Sequence, residues 1–213
     1  MNKNLWLKRI RNVCGLLGGL LPFLAIFSVL LIADRAKGSL YSISATYYQS
    51  PCLVGILTSA SVVLMCYDGY TKLDNIITTI SGVFGLGIVL FPCSVNFDFV
   101  NPNAVGFFQL PMHVSNTIHC ICASIFFCLL AFNSFFLFTK TDDFDKMTDR
   151  KKLRNIVYKI CGIGMFVFMI LQALSVTVFD VPPYCTMINE IGMLFFFSFS
   201  WLTKGGVFFA DKK

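Results

Sequence analysis

Three polar side chains of the sequence lie inside long apolar runs, at a similar predicted depth. Glu190, His119 and Gln172 lie in three different runs, each without another charged residue. Each lies seven or eight residues from the end of its run that is predicted to face the outer side. At 1.5 Å per helical residue, this spacing corresponds to a depth of about 10 to 12 Å. Ionisable groups at such depths in a membrane are rare and often functional. We therefore predict a polar layer to which three helices contribute.

Glu190 and His119 are the candidate catalytic residues of this layer, because a carboxylate and an imidazole can exchange protons. Such a pair could carry protons, bind a cation, or act as a general base on a substrate that enters from the outer leaflet. A buried hydrogen-bond network that fixes the register of the helices would use the same residue types. The residues alone leave the catalytic and the structural interpretation open.

Five other polar residues are candidate ligand-binding residues of the layer or its rim: Asn116, Gln172, Ser44, Tyr47 and Tyr48. Asn116 lies three residues before His119 and therefore shares its helix face. The last three belong to a hydroxyl-rich segment, residues 41–48, which could cap the layer and contact a headgroup. An aromatic belt at the membrane interface is the alternative for that segment.

The sequence predicts no metal site, and it indicates no particular cofactor. A zinc hydrolase holds its ion with three or four His, Cys or carboxylate ligands. This chain has two His, His113 and His119, and their spacing of six residues places them on different faces of a helix.

The composition excludes a soluble enzyme, so apolar helices have to position these polar residues. Of the 213 residues, 56% are hydrophobic and 13% are charged, against roughly 25% charged in an ordinary soluble domain. The mean hydropathy is +0.74. A soluble domain of this size could not keep so much apolar surface from water, and intrinsic disorder requires far more polar residues.

Six apolar runs predict an all-α fold, a bundle of six transmembrane helices. A helix needs about 20 apolar residues to cross a bilayer core. We expect residues 1–213 to form a single integral membrane domain. The second run is the shortest, and a five-helix alternative would make it re-entrant. The predicted spans are 14–33, 51–67, 76–97, 111–139, 160–179 and 183–203.

The basic residues predict the orientation of these spans. With the N-terminus inside, 15 Lys and Arg lie on the inner side, and two, Arg35 and Lys37, lie on the outer side. We therefore expect a multi-pass protein of the plasma membrane (the inner membrane of a bacterial cell) with both termini in the cytoplasm. The net charge of +6 then reflects topology, so we expect membrane lipids as partners and no nucleic acid.

Small residues and cysteines give two further predictions. Gly15 and Gly19 form the G-x-x-x-G pattern that lets helices approach closely in lipid, within the bundle or in an oligomer that forms through this face. The number of Cys is nine, which is odd. Cys52, Cys93 and Cys185 are expected near the outer ends of spans, where one disulfide among them or free thiols are both possible.

Several short motifs are distributed along the chain: Ser42–Tyr48, Tyr67–Tyr70 with Asp74, Leu86–Pro92, His119 with Ala123 and Phe126–Phe127, Arg154–Asn155 with Tyr158 and Cys161–Gly162, and Trp201 with Lys204–Gly205. Together they resemble an uncharacterised family of bacterial multi-pass membrane proteins. The resemblance implies a membrane location and about six helices, and it implies no known activity. A remoter similarity connects the chain to the CREST membrane hydrolases, the group of alkaline ceramidases and adiponectin receptors, which hold a zinc ion with three His.

Three functions are compatible with these features. The first is an integral membrane protein with an outward-facing polar pocket, centred on His119 and Glu190, that binds or moves a small or lipidic ligand. The second is a lipid-directed membrane hydrolase in which His119 is the general base. The third is a non-catalytic membrane subunit whose polar layer packs helices. Whether the protein is an enzyme stays open on the sequence.

Overall fold

The described part of the chain is a bundle of six α-helices and contains no β-strand. The structure is a computed structural model, and it describes residues 3–32, 40–140, 147–178 and 182–210. A 3-10 turn, Ser44–Tyr48, precedes the second helix, and a π-helical turn, Asn133–Leu137, extends the fourth. The all-α prediction is thus confirmed. The helices are α1 Lys3–Leu31, α2 Pro51–Met65, α3 Lys72–Leu90, α4 Met112–Phe132, α5 Asp149–Thr177 and α6 Tyr184–Gly205.

Five of these helices are long and apolar enough to cross a membrane, and α2 is not. The 15 residues of α2 give a length of about 22 Å, which is shorter than the roughly 30 Å of a bilayer core. The six predicted spans therefore correspond to five helices of membrane-spanning length and one shorter helix, so a bundle of six spans is not confirmed. Ser50 caps the start of α2, where its side chain accepts a hydrogen bond from the Cys52 N–H.

The helices differ from the predicted spans at several ends. The third predicted span, 76–97, continues seven residues beyond the end of α3, because Phe91 precedes Pro92 and leaves the helical conformation at φ −119° and ψ 89°. At their N-terminal ends, α1 and α5 begin 11 residues before the predicted 14 and 160. Charge-free runs locate these helices but miss the turns that carry basic residues.

The ends of the helices meet in two groups, which we call the polar end and the basic end. At the polar end, the Ile43 N–H donates to Glu190 near the start of α6, and the Ser115 hydroxyl donates to the Pro92 carbonyl. At the basic end, Arg11 of α1 bonds Tyr67, which packs against Trp201 of α6. The start of α1 and the end of α6 therefore lie at the same end of the bundle.

The predicted small-residue face of α1 packs against α6 of the same chain. A Cβ atom added to Gly15 would lie 2.8 Å from Leu202 Cγ, and one added to Gly19 would lie 2.6 Å from Ser198 Oγ. These distances are too short for any side chain larger than glycine, so the two helix backbones are in close contact. A second copy would have to displace α6 to use the Gly15 and Gly19 face.

Some predictions concern residues outside the described part of the chain. These are Arg35 and Lys37, and residues 33 and 179, the predicted ends of the first and fifth spans.

Candidate functional site

The carboxylate of Glu190 is the hydrogen-bonding centre of the polar end. Its Oε1 accepts from the Ser42 hydroxyl at 3.0 Å, from the Ser44 hydroxyl at 2.6 Å and from the Ser44 N–H at 3.3 Å. Its Oε2 accepts from the Ile43 N–H at 2.5 Å. Both carboxylate oxygens are therefore occupied by the segment that precedes α2, and Glu190 fixes that segment to α6.

A second set of bonds shapes the same segment. The Met187 N–H in the first turn of α6 donates to the Tyr41 carbonyl at 3.0 Å. The Thr46 hydroxyl, which is completely buried, donates to the Ile43 carbonyl at 2.6 Å. Residues 41–46 thus form a cap on the start of α6.

Tyr48 connects this cap to the chain that follows α3. Its hydroxyl donates to the Cys93 carbonyl at 2.9 Å. Burial raises the pKa of the Tyr48 phenol, and the neighbouring Cys93 thiol raises it further, so the hydroxyl stays a protonated donor. Tyr47 stacks edge-to-face on Tyr48, with ring centroids 5.0 Å apart, and packs against the apolar core.

His119 of α4 is held by the end of α3. Its side chain is 6% exposed, and Nδ1 lies 2.9 Å from the Phe91 carbonyl. That carbonyl ends α3 and has no partner further along the helix. A neutral imidazole that donates from Nδ1 keeps its lone pair on Nε2. The Ile88 carbonyl is a second backbone hydrogen-bond partner of the imidazole. His119 therefore joins α4 to the end of α3.

Gln172 joins α5 to α6 at the same level. Its side-chain oxygen accepts from Asn189 Nδ2 at 3.2 Å, and its Nε2 donates to the Thr186 hydroxyl at 3.3 Å. This amide ladder sets the spacing of the two helices beside Glu190.

A cavity of about 510 Å³ lies among these helices, and its lining is mostly apolar. It brings together four residues predicted from the sequence: Ser44, His119, Gln172 and Glu190. Most of the remaining wall is made of Leu, Ile, Phe, Met and Ala side chains from all six helices. The site is thus an apolar chamber with a small number of polar groups.

Three other predicted residues lie outside this cavity. Asn116 accepts a hydrogen bond from the Ser94 N–H at 2.8 Å, one helical turn nearer the polar end than His119. Tyr47 and Tyr48 belong to the packing of the cap. These side chains hold loops in place rather than facing the chamber.

The exposed part of the cavity lining belongs to two helices, and sequence reasoning missed it. We call these six residues the side opening; each is exposed, while every other lining residue is buried or half-buried. Their small or apolar side chains give no signal in the sequence that separates them from other membrane-facing positions. They are Cys120 and Ser124 of α4, and Ile170, Ala173, Val176 and Thr177 of α5.

The polar groups of the cavity are arranged to hydrogen-bond a ligand, and they are not arranged as a nucleophile with its base. The Ser44 hydroxyl donates to Glu190, so its proton is not directed at a histidine base. Among the described residues, no group of three His, Cys, Asp or Glu side chains could hold a metal ion. All nine Cys lie in the described ranges and are free thiols, so no disulfide joins Cys52, Cys93 and Cys185.

Comparisons with models of protein families, with curated proteins and with solved structures found no match to this chain.

Proposed function

We propose that this protein is a multi-pass protein of the cell membrane that binds a lipidic ligand in the cavity beside Glu190 and His119. Five membrane-length apolar helices support the location. The excess of basic residues on the side predicted to be inner supports a cytoplasmic location for both termini.

The single observation that carries this proposal is the side opening between α4 and α5. All exposed residues of the cavity lining lie on these two helices, both of which are long and apolar enough to cross a membrane. A ligand that reaches the cavity there has to come from the lipid phase. Water-soluble substrates would need an entrance at the polar end, where the cap of residues 41–46 is tied to Glu190.

The lining indicates the chemistry of the ligand. The volume of the cavity, about 510 Å³, lies within the range of roughly 300 to 1,000 Å³ that small-molecule sites occupy. An apolar chain would contact the Leu, Ile and Phe side chains of the wall. A hydroxyl or amide head could bond with the Gln172 amide beside His119, while Glu190 is already satisfied. A long-chain alcohol or amide fits these features best.

Occlusion of the side opening tests this function. Ala173→Phe adds a large side chain at the mouth of the cavity, and Leu174→Phe changes the adjacent exposed residue of α5, which lies outside the lining. With a diazirine-bearing long-chain alcohol and protein in detergent micelles, we expect photolabelling of Ala173→Phe to fall at least about fivefold, because overpacking costs about 1 to 3 kcal/mol. Leu174→Phe should label within about twofold of the unchanged protein.

Equal labelling of all three proteins would contradict ligand binding in the cavity. It would leave the polar layer with a structural role in a non-catalytic membrane subunit. Circular dichroism of each purified variant establishes that the bundle is folded before labelling is compared.

A further inference from the structure

The loop between α3 and α4 carries exposed aromatic rings on a segment without charge. Residues 99–111 contain no Asp, Glu, Lys or Arg. The side chains of Phe107 and Phe108 are 74% and 51% exposed, and their ring centroids lie 5.1 Å apart, so the two rings form one apolar patch. Exposed apolar patches mark surfaces that contact a membrane or another protein.

This part of the loop has a defined fold, and its exposed rings lie outside the packed cores. Val105 and Leu110 exchange backbone hydrogen bonds of 2.8 and 3.1 Å, which close the turn of residues 105–110. We call this segment the aromatic turn. Val105 is 4% exposed and belongs to a small core cluster of the polar end. Phe107 and Phe108 belong neither to this cluster nor to the main core.

The aromatic turn lies against the end of α3, and this contact sets its depth. A Cβ atom added to Gly106 would lie 2.9 Å from the Leu90 carbonyl oxygen and 2.6 Å from Pro92 Cδ. The ring of Phe108 stacks on that of Phe91, with centroids 5.1 Å apart. Leu90 is the last residue of α3, whose 19 residues span about 28 Å, close to the roughly 30 Å of a bilayer core. The turn therefore lies at the level where α3 would leave the apolar core of a membrane.

The turn also continues the side of α3 that faces away from the bundle. Ile76, Val83 and Leu90 follow each other at intervals of seven residues, so they share one face of the helix. The side chains of Ile76 and Val83 are exposed, although they lie in a helix long and apolar enough to cross a membrane. This face is the one that lipid would cover. The contact of Gly106 with Leu90 places the aromatic turn at its end.

We propose that the aromatic turn is a membrane anchor, which inserts Phe107 and Phe108 among the phospholipid acyl chains of the leaflet at the polar end. Apolar rings on an uncharged surface gain free energy when they leave water for the hydrocarbon region. The anchor also holds Phe91, whose carbonyl bonds His119 of the cavity lining. The proposal rests on the membrane location of the protein, and it does not require a ligand in the cavity.

Tryptophan substitutions in the full chain test the anchor. Phe107→Trp places an indole in the aromatic turn, and Asn103→Trp is the matched control at an exposed polar position of the same loop. Phe23→Trp on the exposed face of α1 is the positive control for contact with lipid. Each variant is reconstituted in phosphatidylcholine vesicles. The emission of the unchanged protein, which contains Trp6 and Trp201, is subtracted.

Two quenchers report where each added indole lies. Phosphatidylcholine brominated on its acyl chains quenches an indole in hydrocarbon, and iodide on both sides of the membrane quenches an indole in water. Because burial of an aromatic ring favours the inserted position at least about tenfold, we expect iodide to quench Phe107→Trp at least about fivefold less than Asn103→Trp. Brominated chains should quench both Phe107→Trp and Phe23→Trp.

Two results would overturn the anchor. One is quenching of Phe107→Trp by iodide as strong as that of Asn103→Trp, which would place the ring in water. The other is quenching of Phe107→Trp by neither reagent, which would indicate that protein, such as a second copy of this chain, covers the ring. Phe23→Trp separates these results from a wrong membrane location, because brominated chains would then fail to quench that variant too.

Discussion

Glu190→Ala is expected to lower the free energy of unfolding by about 3 to 5 kcal/mol. The substitution removes the acceptor of four hydrogen bonds, two of them from the backbone N–H groups of Ile43 and Ser44. The hydroxyls of Ser42 and Ser44 can rotate toward other acceptors, but the N–H groups are fixed by the turn that follows. Each buried donor without a partner costs about 1 to 3 kcal/mol.

Denaturant titration in micelles, followed by circular dichroism, measures this loss. Glu190→Gln is the matched control, because its amide keeps one acceptor oxygen in nearly the same shape, and we expect a smaller loss of about 1 to 2 kcal/mol. A loss below about 1 kcal/mol for Glu190→Ala would show that the carboxylate does not hold the cap.

Gly19→Leu is expected to destabilise the bundle by about 3 kcal/mol, because it separates α1 from α6. A Cβ at Gly19 would lie 2.6 Å from Ser198 Oγ, and that hydroxyl donates to the Gly15 carbonyl at 2.7 Å. A larger side chain therefore both overfills the contact and breaks a buried hydrogen bond.

Gly55→Leu on α2 is the matched control for this substitution. No atom lies within 4 Å of a Cβ built at Gly55, so the same change meets open space. Leucine is also a better helix former than glycine by about 0.5 to 1 kcal/mol. We expect the midpoint of denaturation to stay or rise for Gly55→Leu and to fall for Gly19→Leu. Equal effects of the two substitutions would contradict the close contact of α1 and α6.

The sequence was sufficient to predict the all-α class and to group three polar residues that line one cavity. Hydropathy over about 20 residues reports the length of an apolar helix, and the rise per residue converts position into depth. On this basis Glu190, His119 and Gln172 were placed at one level, and all three line one cavity in the structure. The depth of a residue along a helix axis does not indicate toward which neighbouring helix or loop its side chain points.

The sequence does not indicate in which direction the side chains of Glu190 and His119 point, and this explains where the prediction and the structure differ. A pair of Glu190 with His119 was considered, yet the printed sequence cannot tell that Ser42 and Ser44 supply the partners of Glu190, more than 140 residues away along the chain. His119 instead bonds the Phe91 carbonyl, which is available because Pro92 ends α3 there. Both arrangements depend on how loops fold back over helix ends.

The side opening was beyond sequence analysis for a related reason. Ala173 and Thr177 lie four residues apart on α5 and so share a face, but membrane-facing and cavity-facing positions have the same small or apolar residues. Only the packing of α4 beside α5 distinguishes membrane-facing from cavity-facing positions.

The burial of Arg11 was also beyond sequence analysis. Arg11 has the same residue type as its exposed neighbour Arg9, and the burial of Arg11 depends on Tyr67 and Tyr70.

The position of a photoreactive lipid on the protein tests the central proposal most directly. After labelling with the diazirine-bearing alcohol, peptide mass spectrometry locates the modified residues. We predict labels concentrated on the cavity-lining residues of α4 and α5, which lie between 120 and 127 and between 169 and 177, and fewer labels on Leu174 outside the lining. Labels spread evenly over the outward faces of all helices, with Phe23 and Phe27 of α1 modified as strongly as α4 and α5, would contradict a lipid site within the bundle.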